Sequence, residues 1–109
     1  MDKKTFLDKL ENKSSPLIIK FSAVWCGPCK KIQPIVDNYH PICEQKNIEF
    51  IEIDIDDSID LFAFMKRKRI LTGVPSVIYY TEDNNDVYPD DSVIGGDTQK
   101  VTEFFERIL

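Results

Sequence analysis

Four segments of this chain carry apolar residues with a helical period. In residues 2–12, Phe6 and Leu10 lie on one stripe between charged residues, which predicts an amphipathic helix. The same period predicts three more helices: residue 26 into the low forties, residues 59–69 and residues 101–108. We expect Pro34 to kink the second helix and Pro41 to end it, because proline lacks the backbone N–H that a helix interior needs.

The apolar residues between these helices follow the period of an extended chain. The predicted strands are residues 17–22, 48–55, 77–80 and 87–94. Residues 48–55 alternate strictly, with Phe50 and Glu52 on the face opposite Ile53. Pro89 confines the last strand to a sheet edge, because proline cannot donate a hydrogen bond to a neighbouring strand.

The order of these elements predicts the fold class. Helix, strand, helix, strand, helix, strand, strand and helix follow one another along residues 1–109. This order predicts one α/β domain, with a four-stranded mixed sheet flanked by four helices. We expect a parallel strand pair beside an antiparallel hairpin. A single domain also fits the length of 109 residues, of which 42% are hydrophobic.

The charge balance limits the classes of partner. A formal net charge of −5 argues against nonspecific binding to nucleic acid or to an anionic membrane, since both need a positive face. No run approaches the ~20 apolar residues that span a bilayer. The first residues lack the apolar core of a secretory signal, so we expect a cytoplasmic protein unless a leader was removed.

Two of the three cysteines, Cys26 and Cys29, are separated by Gly27 and Pro28 and follow the first predicted strand. A thiolate is the nucleophile in disulfide exchange, and a helix N-terminus lowers the pKa of a cysteine placed there. We therefore expect Cys26, with its sulfur exposed, to attack a disulfide and Cys29, one turn further, to resolve the product. Pro28 stiffens this loop, and Gly27 leaves the approach to Cys26 open.

A zinc site is the structural alternative for these cysteines. Cys26, Cys29, His40 and Cys43 together provide four side chains of the kinds that bind zinc. His40 lies 11 residues beyond Cys29, which is ~16 Å along a helix, whereas a zinc bond is ~2 Å long. We therefore expect no metal, and we interpret Cys43 as a small buried apolar residue. The basic residues 66–69 are interpreted as a solvated helix end.

Residues 21–30, Phe-Ser-Ala-Val-Trp-Cys-Gly-Pro-Cys-Lys, resemble the active-site segment of the thioredoxin family, with Pro34 five residues after the second cysteine. The likeness extends to the family's second central strand at residues 50–57, its cis-proline loop at residues 73–76 and its glycine turn at residues 94–96. It covers nearly the whole chain. We expect the family's short N-terminal edge strand to be missing, which leaves four strands.

The resemblance implies a thiol-disulfide oxidoreductase, a carrier in electron transport that reduces disulfides in other proteins through a redox-active disulfide of the two cysteines. It implies no bound cofactor and recharging by a flavin- and NADPH-dependent thioredoxin reductase. It further implies that Pro75 is cis and packs against the cysteine pair, and that the Val74 backbone pairs with an extended substrate segment. Trp25 and Gly95 would flank that groove. We expect a monomer.

Lys20 departs from the family pattern, because it stands where the family buries an aspartate beneath the cysteines. A buried charge needs a partner, and Glu52 on the neighbouring strand is the predicted one. Our hypothesis is that the Lys20 ammonium, or a water between Lys20 and Glu52, replaces the aspartate and lowers the pKa of Cys29. The alternative is that the lysine head reaches solvent and has no role in the chemistry.

Two other functions stay open at this point. A disulfide oxidase or isomerase uses the same chemistry in the opposite direction, and the Gly-Pro pair between the cysteines weighs against it. Its reduction potential would be about −120 mV, against about −270 mV for a reductant. A binding module would use the same groove to hold one partner, with turnover dispensable, and the unusual Lys20 leaves this function open.

Overall fold

Four strands form one mixed sheet in the computed structural model, which describes residues 1–109. The strands are β1 (Leu17–Ser22), β2 (Glu49–Asp54), β3 (Ser76–Tyr80) and β4 (Asp91–Ile94), and they lie in the order β2-β1-β3-β4. β1 pairs in parallel with β2 and antiparallel with β3, and β3 pairs antiparallel with β4. The predicted parallel pair and antiparallel hairpin are therefore confirmed.

Four helices cover the sheet: α1 (Lys3–Asn12), α2 (Gly27–Gln45), α3 (Ile59–Arg67) and α4 (Thr98–Ile108). The side chains of Asp2 and Asp97 accept hydrogen bonds from the first backbone N–H groups of α1 and α4, which fixes where these helices begin. A short 3-10 helix, Ile55–Asp57, connects β2 to α3. The predicted α/β fold with a four-stranded mixed sheet and four helices is confirmed.

The alternation of side chains along β1 divides the core into two clusters, one on each face of the sheet. Leu17, Ile19 and Phe21 belong to the cluster that includes buried residues of α1 and α3. Ile18 belongs to the cluster that includes buried residues of α2 and α4. The same alternation places Lys20, two residues after Ile18, on the α2 face of the sheet.

The prediction that Pro41 ends the second helix is wrong. Both Pro34 and Pro41 lie inside α2, which continues to Gln45. Each proline removes one backbone hydrogen bond, but Cys43 beyond Pro41 is fully buried in the α2 and α4 cluster. Burial of this last turn against the sheet outweighs one lost hydrogen bond.

The prediction of a strand over residues 87–94 is correct only for its second half, since β4 begins at Asp91. The preceding residues form a loop held by side chains. The Tyr80 hydroxyl donates to the Val87 carbonyl at 2.7 Å, and the Thr81 N–H donates to Asp90 Oδ2 at 2.8 Å. Hydrogen bonds to polar side chains therefore replace the backbone hydrogen bonds between strands that Pro89 interrupts.

Candidate functional site

Cys26 and Cys29 are joined by a disulfide bond, with their Cα atoms 5.3 Å apart. Cys26 is the N-cap of α2, and its Sγ accepts a hydrogen bond from the Cys29 N–H at 3.1 Å. Pro28 lies in the first turn of α2, where backbone N–H groups have no partner within the helix, so its missing N–H costs no helical hydrogen bond. The first strand therefore delivers this pair to the N-terminus of α2, where backbone N–H groups and the helix dipole favour a thiolate on Cys26.

The expectation that the Cys26 sulfur is exposed is wrong, because only 4% of Cys26 and 3% of Cys29 are accessible. Both cysteines are part of the hydrophobic cluster on the α1 and α3 side of the sheet. Gly27 and Pro28, between them, are exposed, and no atom lies within 4 Å of the place where a Gly27 Cβ would stand. The open surface is therefore beside the pair, at Gly27, rather than at the cysteines themselves.

The residues expected to form a substrate groove lie on two loops. The Val74–Pro75 peptide bond is cis, Pro75 is buried, and Val74 packs against the cluster that contains both cysteines. The Gly95 N–H donates to the Pro75 carbonyl at 2.8 Å, with Gly95 at a φ of 102°. That φ favours glycine, because a Cβ would clash with the backbone there. The contact expected between Pro75 and the cysteine pair stays a prediction.

Gly96 belongs to the site, although it was not among the site residues predicted from the sequence. A Cβ on Gly96 would lie 2.7 Å from the Pro28 Cβ and 3.2 Å from the Pro28 Cα. The turn before α4 therefore packs directly on the loop between the cysteines, and only a glycine permits that approach. The pair of consecutive glycines before the last helix was the signal in the sequence.

Trp25 is 64% exposed beside the cysteine pair, and its indole N–H donates to Asp56 Oδ2 at 2.9 Å. Two more exposed apolar side chains are Val24, next to it in sequence, and Ile59, at the start of α3. Asp56 was not among the predicted site residues, and nothing in the sequence pattern marked it as a partner of Trp25. The hydrogen bond fixes one end of an indole ring that otherwise faces solvent.

Lys20 is 1% exposed, so the alternative in which its head reaches solvent is wrong. Its Nζ donates to Gln33 Oε1 and lies 3.8 Å from Glu52 Oε1. Glu52 is therefore within ion-pair distance, but the direct hydrogen bond goes to Gln33, which the pattern of the sequence did not indicate as a partner. Burial lowers the pKa of Lys20, and the negative charges of Glu52 and Asp37 oppose that change.

Lys20 and Cys29 line the same pocket, of about 280 Å³, at the start of α2. Its walls consist of eight residues: Lys20, Ser22, Ala23, Val24, Cys29, Lys30, Gln33 and Asp54. The pocket is open to the surface, and Lys20 and Cys29 both line its wall. Gln33 reaches this wall because it lies four residues after Cys29 on the same helix.

The other two residues of the zinc alternative, His40 and Cys43, have contacts of their own. His40 Nδ1 lies 3.0 Å from Glu52 Oε2, His40 Nε2 lies 2.9 Å from Glu44 Oε1, and the ring stacks on Phe50. Cys43 is buried, as predicted, and burial raises the pKa of its thiol to about 11. The structure contains no group of three or more histidine, cysteine, aspartate or glutamate side chains arranged to hold a metal ion.

None of its helices has the length and apolar character needed to cross a bilayer.

Comparisons with known sequences identify related proteins. The sequence model of the family described as Thioredoxin matches residues 1–106. Thioredoxin Asp f 29 of Aspergillus fumigatus is 42% identical over 62 residues, which are 57% of this chain and 56% of that protein. The thioredoxin of Ophiophagus hannah is 47% identical over 58 residues, 51% of this chain and 52% of that protein. The chain therefore spans about half the length of the curated relatives that it matches.

Solved structures show the same fold over more of the chain. Fasciola hepatica thioredoxin is 27% identical, with a TM-score of 0.70 over 95% of this chain and 92% of that chain. The thioredoxin of Malassezia sympodialis is 20% identical, with a TM-score of 0.72 over 97% of this chain and 87% of that chain. Since the family model extends over nearly the whole sequence, and Cys26 of the disulfide-bonded pair is the N-cap of α2, this chain belongs to the thioredoxin family.

Proposed function

We propose that this protein reduces disulfides in other proteins by dithiol-disulfide exchange, with Cys26 as the nucleophile and Cys29 as the resolving thiol. The observation that carries the proposal is the Cys26–Cys29 disulfide at the N-cap of α2. The N–H of Cys29 points at Cys26 Sγ, and such a donor stabilises a thiolate there once the bond is reduced.

The reaction has two steps that balance in protons and electrons. The Cys26 thiolate attacks one sulfur of a substrate disulfide, and the other substrate sulfur leaves as a thiolate that takes up a proton. Cys29 then loses its proton and attacks Cys26 Sγ, which forms the Cys26–Cys29 bond and releases the second substrate thiolate. Two electrons and two protons pass to the substrate, which ends as a dithiol, while the protein ends as a disulfide.

The substrate groove in this proposal lies between Trp25, the Val74–Pro75 loop and Gly95. Trp25 supports it as an exposed aromatic side chain next to the nucleophile. Gly95 supports it because its N–H is bonded to the Pro75 carbonyl, so that the two loops form one continuous edge. An extended substrate segment would pair with the Val74 backbone, as a strand pairs with a sheet edge.

The partners follow from membership of the family. We propose that a flavin- and NADPH-dependent thioredoxin reductase recharges the oxidised pair, so that the protein carries electrons from NADPH to protein disulfides. The chain works in this proposal as a monomer without a bound cofactor, and in the cytoplasm, where cellular thiols are kept reduced. The negative net charge supports protein partners over nucleic acid and anionic membranes.

A turbidity assay of insulin reduction by dithiothreitol tests the proposal. The wild-type protein accelerates the precipitation of insulin, whereas Cys26→Ser and Cys29→Ser variants do not. Cys43→Ala is the matched cysteine control and keeps the acceleration, because Cys43 is buried in the cluster on the α2 and α4 face. A folded wild-type protein without acceleration would contradict the proposal and favour the binding module. A reduction potential nearer −120 mV than about −270 mV would instead favour the oxidase.

A further inference from the structure

Gln33 has three polar contacts that determine how its amide is oriented. Its Oε1 accepts from Lys20 Nζ, and its Nε2 donates to Glu52 Oε1 at 3.0 Å and to Asp37 Oδ1 at 2.8 Å. A flipped amide would direct its N–H groups at an ammonium and its oxygen at two carboxylates, so only one orientation is compatible with all three groups. The Gln33 oxygen is therefore held toward Lys20.

This oxygen controls where the Lys20 ammonium stands. A charged group that is almost completely buried needs close hydrogen-bond partners, because it has lost its water. Glu52 Oε1 is 3.8 Å from Nζ, which is an ion-pair distance but is too long for a hydrogen bond. Gln33 is thus the side chain that hydrogen-bonds the ammonium directly, while Glu52 contributes its negative charge at 3.8 Å.

Lys20, Gln33 and Cys29 also share the wall of one pocket. A charge in a partly enclosed site acts on its neighbours more strongly than a charge at the surface, because less water screens it. The other charged groups that line the pocket are Lys30 and Asp54. Asp37 and Glu52 do not line it but accept hydrogen bonds from Gln33, and Glu52 also contacts His40. Lys20 is the buried one among the charged residues that line the pocket.

We propose that Gln33 is a positioning residue for the second step of disulfide exchange: it holds the Lys20 ammonium at the pocket that Cys29 lines, where the ammonium stabilises the forming Cys29 thiolate. This inference rests on the proposed function. In the step concerned, the Cys29 thiol gives its proton to solvent through the pocket, and its thiolate attacks Cys26 Sγ. The sulfur–sulfur bond to the substrate breaks, and the electron pair leaves on the substrate sulfur.

The test measures the alkylation rate of Cys29 by iodoacetamide against pH, in a Cys26→Ser and Cys43→Ala background in which Cys29 is the one remaining thiol. Gln33→Met and Lys20→Met each move the midpoint of this profile up by about one pH unit. Lys20→Met removes the positive charge that stabilises the Cys29 thiolate, and Gln33→Met releases that charge from its position near the thiolate. The double variant with both changes moves it no further than Lys20→Met does.

Gln99→Met is the matched control. Gln99 Nε2 donates to Glu103 Oε1 at 3.0 Å with the same four-residue spacing as the Gln33–Asp37 pair, but on α4 and outside the pocket. Its alkylation profile stays that of the background protein. Circular dichroism establishes that each variant is folded before its profile is compared.

Two results would overturn the inference. One is an unchanged midpoint in folded Gln33→Met. The other is a further upward shift when Gln33→Met is added to Lys20→Met, because Gln33 would then act on Cys29 without Lys20. Insulin turnover is measured separately, so that failure of the proposed function can be distinguished from failure of this inference. An inactive wild-type protein overturns the proposed function. An active wild-type protein, together with an unchanged alkylation midpoint in Gln33→Met, overturns this inference alone.

Discussion

Replacing Lys20 with methionine should make this protein more stable while it makes Cys29 less reactive. Lys20 is almost fully buried on the α2 face of the sheet, and methionine has a similar length without the charge. The groups that lose the ammonium are not left buried and unpaired. Glu52 has a side chain that is 32% exposed and contacts His40, and Gln33 is only partly buried and keeps its bonds to Asp37 and Glu52.

The magnitude follows from the cost of burying charge. Taking an ammonium out of water costs several kcal/mol, and methionine removes that cost while Glu52 stays partly exposed, so we expect a gain of about 1–3 kcal/mol at pH 7. Each kcal/mol raises the Tm of a domain of this size by about 4 °C. A gain in stability with a loss of thiol reactivity would mark Lys20 as a residue retained for function.

The stability difference also depends on pH with a definite sign. Burial lowers the pKa of Lys20 in the folded state below its ordinary value of 10.5, so the unfolded chain binds more protons between those two values. Stability contributed at this position therefore rises as the pH increases from the lowered pKa toward 10.5. The difference between the variant and the wild type shrinks over that window. Cys43 and Tyr80, whose pKa values burial raises, titrate in both proteins and cancel in the difference.

Urea denaturation followed by circular dichroism at a series of pH values measures these free energies of unfolding. Lys4→Met is the control, because Lys4 pairs with Asp8 on the exposed surface of α1 and its loss leaves the free energy of unfolding unchanged within error. A Lys20→Met variant that is less stable than the wild type at pH 7 would refute the reasoning, as would a stability difference that does not change with pH.

Three further substitutions or measurements test the structure. Gly96→Ala destabilises the protein by about 1–3 kcal/mol in urea denaturation, since its Cβ would lie 2.7 Å from the Pro28 Cβ and displace the loop between the cysteines. Tyr80→Phe costs about 1–2 kcal/mol and speeds amide hydrogen exchange in residues 81–90, because the Val87 carbonyl loses its donor. Cys43, which is buried with a pKa raised to about 11, reacts with iodoacetamide at pH 8 at least about 100-fold more slowly in native protein than in urea, as measured by mass spectrometry.

Each of these predictions has a comparison that can contradict it. Gly73→Ala is the glycine control, since no atom lies within 4 Å of its added Cβ, and an equal loss in both variants would contradict a contact at Pro28. Tyr88→Phe is the tyrosine control, since Tyr88 is 51% exposed, and a loss as large as that of Tyr80→Phe would contradict the role of the buried hydroxyl. Equal alkylation rates of Cys43 with and without urea would contradict its burial.

The strands β1 and β2 and the cysteine pair were predictable because they depend on neighbouring residues. The apolar run of β1 and the strict alternation of β2 are signals of local period, and both strands lie where the pattern places them. The Cys-Gly-Pro-Cys spacing predicts a bond that the structure contains. The end of α2 was not predictable in this way. Pro41 favours a helix end when only neighbouring residues are considered, but burial of Cys43 against other elements keeps the helix going to Gln45.

The chemical pattern of the chain was enough to identify a dithiol site at the start of a helix, since two cysteines at this spacing, after a buried strand, can close a disulfide. Which of these residues are buried, and which partners they contact, was decided only by the tertiary structure. The pattern predicts an exposed Cys26, which the fold buries, and a Lys20–Glu52 pair, which the fold contains at 3.8 Å. The fold also places Gln33 against Lys20 and brings Gly96 onto Pro28. These contacts join residues from different elements, and their distances depend on how α2 and the turn before α4 pack on the sheet, which no local period encodes.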